Sequence, residues 1–527
     1  MSIARAAGII SAATFLSRLL GLVREQVFAV QFGAGYAVDA FQVAFRVPNL
    51  LRDLFAEGAL SAAFVPTLTK AQQEGGPASA MRLANLVINF LLVVLAVVTL
   101  IGIVAAPTVV SILAPGFGDV PGKLALTALM TQIMMPFLLL VSLAAAVMGV
   151  LNTRRIFFIP AVAPVFFNLG LIAAGFVLSP LMPRLGLEPI VGMAFGALLG
   201  GLGQLVIQLP PLRAQGFRWR PILSFTDPSV LRVCALMAPA TIGIAAAQVN
   251  VFTSTFLAST LREGSVSWLN YAYRLVQLPI GLFGVAVATV TLAEVSRHAA
   301  AKNMDDLKAT LGLSLRLVLF LTLPATLVLV ALAAPIVSLL YQHGRFTAAD
   351  TAETAHALWG YAVGLAAFSA VRVMAPAFYS LGQARTPVTI SMITIGATVV
   401  LYFVLMGPLE HAGLALATSI GSLLNFALLF WALRRKLGSL GVRTLAAAAA
   451  RILVASALAA GAGWSATTAL WRVFEVPGAL WRALAVGAGL ASAGLIYVVA
   501  CTVLRVPEVK AVGNTMRRVL GGARRGT

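Results

Sequence analysis

Six arginines fall inside stretches apolar enough to cross a membrane: Arg18, Arg24, Arg46, Arg52, Arg274 and Arg372. A charge at the centre of a spanning helix costs about 2.5 to 3.5 kcal/mol on the insertion scale, so each needs a partner, a route to the interface or an aqueous cavity. Arg46 and Arg52 sit where a long side chain could snorkel to a span end. Internal pairing is a second solution, since the same two spans carry Glu25, Asp39, Asp53 and Glu57. Asp39 and Arg46, seven residues apart, share nearly one helix face. Arg18 and Arg24, six apart, diverge by about 120° around the axis and therefore address a broad cavity or different partners. The interiors of the spans that hold Arg274 and Arg372 contain no acid, which points to a third solution, a bound anion. A guanidinium stays charged in poorly hydrated surroundings and grips phosphate oxygens in pairs, so that anion is phosphate-like.

The elements that must position these residues follow from composition. The chain has 527 residues, 60% of them hydrophobic and 10% charged, against about a quarter charged in a soluble domain. A single water-soluble core is excluded. About 20 apolar residues make one spanning helix, and Gly, Pro and charge clusters divide the chain into about fourteen: 5 to 32, 36 to 69, 83 to 113, 123 to 151, 157 to 180, 189 to 211, 229 to 260, 265 to 296, 309 to 341, 353 to 381, 387 to 406, 411 to 433, 446 to 470 and 481 to 505. With the N-terminus inside, 25 of the 37 Lys and Arg fall in internal segments and six, Lys123 among them, in external ones. That bias is the positive-inside signature of a chain with both termini cytoplasmic.

A weak internal repeat recurs at an offset of 228 residues, where Arg46 falls on Arg274 and Leu54-Phe55 on Leu282-Phe283, near Pro48 and Pro279. A second trace sets Leu151 to Pro160, with Arg155, against Leu381 to Pro387, with Arg385. Duplication would relate spans 1 to 6 and 7 to 12 as parallel halves, with spans 13 and 14 appended. Chance apolar similarity is the competing explanation. Gly33 and Gly35 give the turn between spans 1 and 2 its backbone freedom. Pro48 and Asn49 should kink span 2; these four residues and Glu57 are candidates for a hinge or gate.

Other chemistries are poorly represented. The net charge of +20 is spread in short clusters between apolar spans, with no soluble basic domain for nucleic acid. Cys234 and Cys501 lie in separate spans without metal spacing, and the four histidines scatter near span ends. No Walker loop, catalytic triad or carboxylate metal cluster is present, so neither an enzyme nor a cofactor is expected. The N-terminal segment, interrupted by Arg18 and Arg24, has no leader-like apolar core and is expected to be retained.

Residues 14 to 66 contain TFLSRLLGLVRE, FGAG, Asp39-Ala-Phe, Arg46-Val-Pro-Asn-Leu-Leu-Arg52 and FAEGALSAAFVP. With Tyr271-Ala-Tyr-Arg274-Leu, Pro279, APAFYSLG and Arg385-Thr-Pro387, this resembles the MurJ (MviN) family of bacterial lipid II flippases. The resemblance implies an all-α polytopic fold of the multidrug/oligosaccharidyl-lipid/polysaccharide exporter superfamily, with two six-helix lobes in a V and two C-terminal helices. The lobes would be 1–215 and 216–440, followed by spans 13 and 14 over 441–506 and a basic cytoplasmic tail at 507–527. It further implies alternating access in the bacterial inner membrane around a cationic cavity. There the undecaprenyl-pyrophosphate-linked peptidoglycan precursor would meet Arg18, Arg24, Arg52 and Arg274, with Asp39 as a polar partner. Arg46 and Arg372 join the substrate-binding candidates from the charge argument. The expected partners are lipid II and membrane lipids, with the chain a monomer. Export of another polyprenyl-linked saccharide is the alternative within the superfamily. The chain departs from some relatives in having Gln277 in place of a carboxylate and no acid in spans 229 to 260 and 387 to 406. Sodium coupling is therefore unsupported and membrane potential is the expected drive, worth about 2.3 kcal/mol per elementary charge per 100 mV.

Overall fold

A computed structural model describes residues 3–438, 441–473 and 478–509. Within them the side chains of 3–12, 56–59, 61–62, 239–240, 242–244, 246–247 and 473 are not described. The basic tail expected at 507–527 thus lies almost wholly outside the described residues.

Among the described residues the chain is helical without strands, as the long apolar runs require in a solvent that cannot hydrogen-bond a free backbone. Two compact units emerge, residues 1–267 with 344–346, and 268–343 with 347–527. In the first, α1 (Ile3–Phe32), α2 (Tyr36–Arg52), α3 (Gly58–Leu113), α4 (Lys123–Met134), α5 (Pro136–Thr153), α6 (Phe158–Val177), α7 (Val191–Val206), α8 (Leu209–Ala214) and α9 (Pro228–Ser259) follow in order. The second contains most of α10 (Ser265–Pro279), then α11 (Val285–Ala300), α12 (Met304–Ala331), α13 (Ala333–Tyr341), α14 (Ala348–Ala362), α15 (Leu365–Ser380), α16 (Arg385–Leu437), α17 (Val442–Val473) and α18 (Ala479–Val503).

Ten of the described helical stretches are long and apolar enough to cross a membrane, against about fourteen spans expected. Two of the ten run for 51 and 53 residues and pass through a break. In α3 the break is Gly76, with φ 73°; in α16 it is Glu410, with φ 47°. Helix also covers the expected spans at 5 to 32, 36 to 69 and 229 to 260. Outward faces carry the apolar residues that water would reject: Val104 is 74% exposed and Val503 73%. Such surface is paired with lipid rather than water.

The core of the first unit forms where Leu83, Val87, Leu91 and Leu95, spaced by four on α3, meet Leu138, Val147 and Leu151 of α5. Helices α6 and α7 approach more closely than side chains allow, since a Cβ on Gly200 would sit 2.8 Å from the Phe167 backbone. Close backbone approach at small residues is how helices associate without a hydrophobic drive between them. In the second unit α17 and α18 pack on α12 through Ile452, Ala459, Tyr497 and Phe320. Arg316 pairs with the buried Glu508 at 2.8 Å, and Arg482 donates to the Gln342 carbonyl at 2.9 Å.

Both Pro-bearing helices of the sequence repeat end in the same irregularity. Helix α2, with Pro48 inside it, leads into a π-helical turn at Asp53–Glu57, and α10, which ends on Pro279, leads into one at Ile280–Gly284. Each π turn contains the Leu-Phe pair that the repeat aligns. A π turn inserts one extra residue into an α-helix and is rare; these two fall within one residue of the 228 offset.

Candidate functional site

Arg24 is the most buried of the six arginines whose exposure places them, at 8%. Its guanidinium meets the carboxylate of Glu25, the next residue, and donates to Asn168 Oδ1 of α6 at 3.2 Å. The Asn168 amide in turn donates to the Ser17 carbonyl at 3.0 Å, so its two ends fix α1 against α6. Phe167 closes the group, its ring centroid 5.7 Å from the guanidinium carbon. Arg18 is exposed, in keeping with the angle between it and Arg24. Arg24 is thus held in a nearly neutral pair, which a phosphate could enter by displacing Glu25 or by using the guanidinium edge left over.

Asp39 anchors a second group at the turn after α1. Its carboxylate, 1% exposed, accepts from Lys123 Nζ at 2.9 Å, from Gly264 N at 2.9 Å, and from Ser267 N and Oγ at 2.8 and 2.6 Å. Gly264 and Ser267 flank the first turn of α10, where amides have no partner within the helix. Asp39 therefore caps α10 from another helix, and its charge faces the positive end of the helix dipole. Lys123, assigned from sequence to an external segment, is 1% exposed at the start of α4 and lies 4.4 Å from the Phe117 ring centroid. The turn itself is packed: Gly33 has φ 72°, and a Cβ there would lie 2.7 Å from the Arg345 carbonyl oxygen. Gly35, with φ 117°, brings its N–H within 3.5 Å of Ser267 Oγ.

A third group sits at the π turn after α2. Arg52 binds Asp53 through Nη2 at 2.9 Å and Nε at 3.3 Å, and Gln248 of α9 donates to the other Asp53 oxygen at 3.1 Å. Arg24 and Arg52 thus each bond the acid that immediately follows them. Pro48 is buried and Asn49 half-buried one turn before this group; Arg46 is half-buried, and the Glu57 side chain lies outside the described residues. Arg274 of α10 and Arg372 of α15 are exposed. Arg372 has no acid partner among the described residues.

The structure therefore places Arg24, Asp39 and Arg52 in three separate hydrogen-bonded groups, with Arg18 in none of them. Phe28, Phe41, Phe45 and Phe167 run between the Arg24 and Asp39 groups, with successive ring centroids 4.7, 6.0 and 5.6 Å apart. Sequence reasoning missed Lys123, Asn168, Gln248 and Ser267. Asn168 had a signal, as a lone amide in an apolar run; Lys123 had none, because its position beside Gly122 reads as a loop.

Apolar outer faces around buried polar groups define a multi-pass membrane protein. It is similar to an inward-facing multidrug resistance MATE family transporter of the MOP superfamily, with a TM-score of 0.67 at 14% identity over 82% of this chain and 98% of that one. The family model for lipid II flippase MurJ matches residues 28–482, and the chain belongs to that family. It is 38% identical over 429 residues to the probable lipid II flippase MurJ of Vibrio cholerae serotype O1, covering 80% of this chain and 81% of that protein. Identity to the lipid II flippase MurJ of Burkholderia cenocepacia is 37% over 440 residues, covering 83% and 84%. A solved lipid II flippase MurJ in an inward closed conformation superposes with a TM-score of 0.76 at 25% identity, covering 94% of this chain and 99% of that one.

Proposed function

We propose that this protein flips lipid II, carrying the undecaprenyl-pyrophosphate-linked peptidoglycan precursor from the inner to the outer leaflet of the bacterial cytoplasmic membrane. The observation that carries the proposal is Arg24, a guanidinium buried in an apolar helix and held by Glu25 and Asn168, in a chain of the lipid II flippase MurJ family. A buried arginine already oriented by a carboxylate and an amide is prepared to exchange that carboxylate for a pyrophosphate oxygen.

In this reading Arg18, Arg24, Arg46, Arg52, Arg274 and Arg372 line a cationic cavity, with Asp39 at its margin, in a monomer whose termini are both cytoplasmic. The lobes at 1–215 and 216–440 alternate access to the two sides, spans 13 and 14 over 441–506 accommodate the polyprenyl tail, and 507–527 forms a basic cytoplasmic tail. Pro48, Asn49 and the π turn they precede serve as the hinge, while Gly33, Gly35 and Glu57 belong to gates. Capping of α10 by Asp39 supports a gate on the outer side, because parting from α10 would take the carboxylate from three donors at once, Gly264 N and the N–H and hydroxyl of Ser267. The deciding experiment depletes the protein in its native bacterium and measures lipid II in each leaflet. Loss of outer-leaflet lipid II is expected; an unchanged distribution, with no second flippase present, refutes the proposal.

A further inference from the structure

A pocket of about 790 Å³ whose lining shares no residue with the three groups above opens in the first unit, where the α3 break, the end of α5 and the α8–α9 connection meet. Its wall includes Arg82, Arg154, Arg218 and Arg220 and no acid. None of these four arginines pairs with a carboxylate among the described residues. Pockets of this size hold small ligands, about 300 to 1,000 Å³ being usual. Arg82, Arg218 and Arg220 are exposed and Arg154 half-buried, so the wall is a solvent-open cationic surface whose field favours an anion.

The site is built rather than incidental. Asn85 and Asn89, one turn apart on α3 and both buried, grip the connection that bears two of the arginines. Asn85 accepts from Arg220 N at 2.7 Å and donates to the Arg218 carbonyl at 3.1 Å. Asn89 donates to the Arg220 and Ile222 carbonyls at 2.6 and 2.8 Å and accepts from the indole of Trp219 at 2.9 Å. Trp219 is thereby tied to α3 while its two neighbours, Arg218 and Arg220, line the pocket. Buried amides spent on holding a loop's backbone fix where its side chains project.

We propose that this pocket binds a multiply charged phosphate group of the pyrophosphate type, separately from the Arg24 group. Arginine forks match phosphate oxygens in pairs, and Ser79 and Gln215 add neutral polar groups to the wall. The sequence places all four arginines in cytoplasmic segments, where the phosphate could come from a lipid headgroup or from solution.

The test is calorimetric titration of the purified full-length chain with inorganic pyrophosphate at low salt, which needs no transport activity and so stands or falls apart from the flippase reading. Wild type should bind, and Arg218→Gln/Arg220→Gln and Arg82→Gln/Arg154→Gln should each weaken binding at least tenfold with an unchanged thermal midpoint. Arg24→Gln should retain this binding. No binding by wild type, undiminished binding by both double variants, or loss only in Arg24→Gln overturns the proposal. Repeating the titration in nanodiscs identifies the source. Weaker pyrophosphate binding in phosphatidylglycerol than in phosphatidylcholine assigns the pocket to a lipid headgroup, and equal binding assigns it to a soluble phosphate.

Discussion

Ser267 donates both its backbone N–H and its hydroxyl to one carboxylate oxygen of Asp39, which stands 228 positions before it in the chain. That separation equals the offset of the weak sequence repeat, so the alignment that sets Arg46 on Arg274 also sets Asp39 on Ser267. If the two segments are copies, that position holds an acid in one and a donor in the other. Lys123 then neutralises the acid.

Removing the charge from this group should be costly. Breaking one side of a buried pair destabilises by about 3 to 5 kcal/mol, because the surviving charge is stranded. Asp39→Asn is expected to lower the thermal midpoint clearly in detergent, and Lys123→Met to do the same. The double variant should be less harmed than the sum of the two, with a coupling of about 1.5 kcal/mol or more in a double-mutant cycle. Additive losses would show that Lys123 and Asp39 do not act as a pair.

Arg24→Ala should abolish growth support in a strain lacking its own flippase while the protein still inserts at normal abundance. Arg24→Lys keeps the charge and loses the fork, and is expected to fall well below wild type for the same reason. Full complementation by either variant, scored with membrane abundance on immunoblots, would remove Arg24 from the mechanism.

Gly33→Ala meets two obstacles, a left-handed φ of 72° and the Arg345 carbonyl oxygen at 2.7 Å. A non-glycine residue held in that region costs about 1 to 3 kcal/mol before any clash is counted. Thermal unfolding should register a loss of at least that size, whereas Gly186→Ala, with φ 70° but open space around it, should lose only the conformational part.

The π turns make a prediction about register. Deleting Leu282, inside Ile280–Gly284, should convert the turn to α-helix and leave the packing of α11 intact, so the protein folds while transport suffers. Deleting Val290, within regular helix, shifts every following contact of α11 by one residue and should prevent folding. Size-exclusion profiles and complementation of the two deletions separate these outcomes.

How much of this was legible in the sequence depended on range. Apolar runs and breakers located the helices, because a bilayer leaves a backbone few alternatives. The same reasoning identified Arg24, Asp39 and Arg52 as charges needing partners, since the cost of burial is a local property. It could not name the partners. Asp39 shares a helix face with Arg46, yet its carboxylate is occupied by Lys123, Gly264 and Ser267, which only tertiary packing brings near. Asn168 reaches a carbonyl 151 residues away, and Lys123 is buried only because α4 begins beside α2. Hydropathy could not find the π turns at all, since one inserted residue hardly changes an apolar average.

In crystal terms, each π turn is a dislocation, an extra residue absorbed by a helix that is regular on either side. A dislocation can glide: as hydrogen bonds exchange one at a time, the wide turn passes along the helix without melting it. Every residue it passes turns by one residue's step, about 100°, and moves along the axis by about 1.5 Å. Arg52 sits at the edge of one such turn and Arg274 a few residues before the other. Two arginines of the proposed cavity therefore stand where a helix can be re-aimed for the price of a few exchanged bonds.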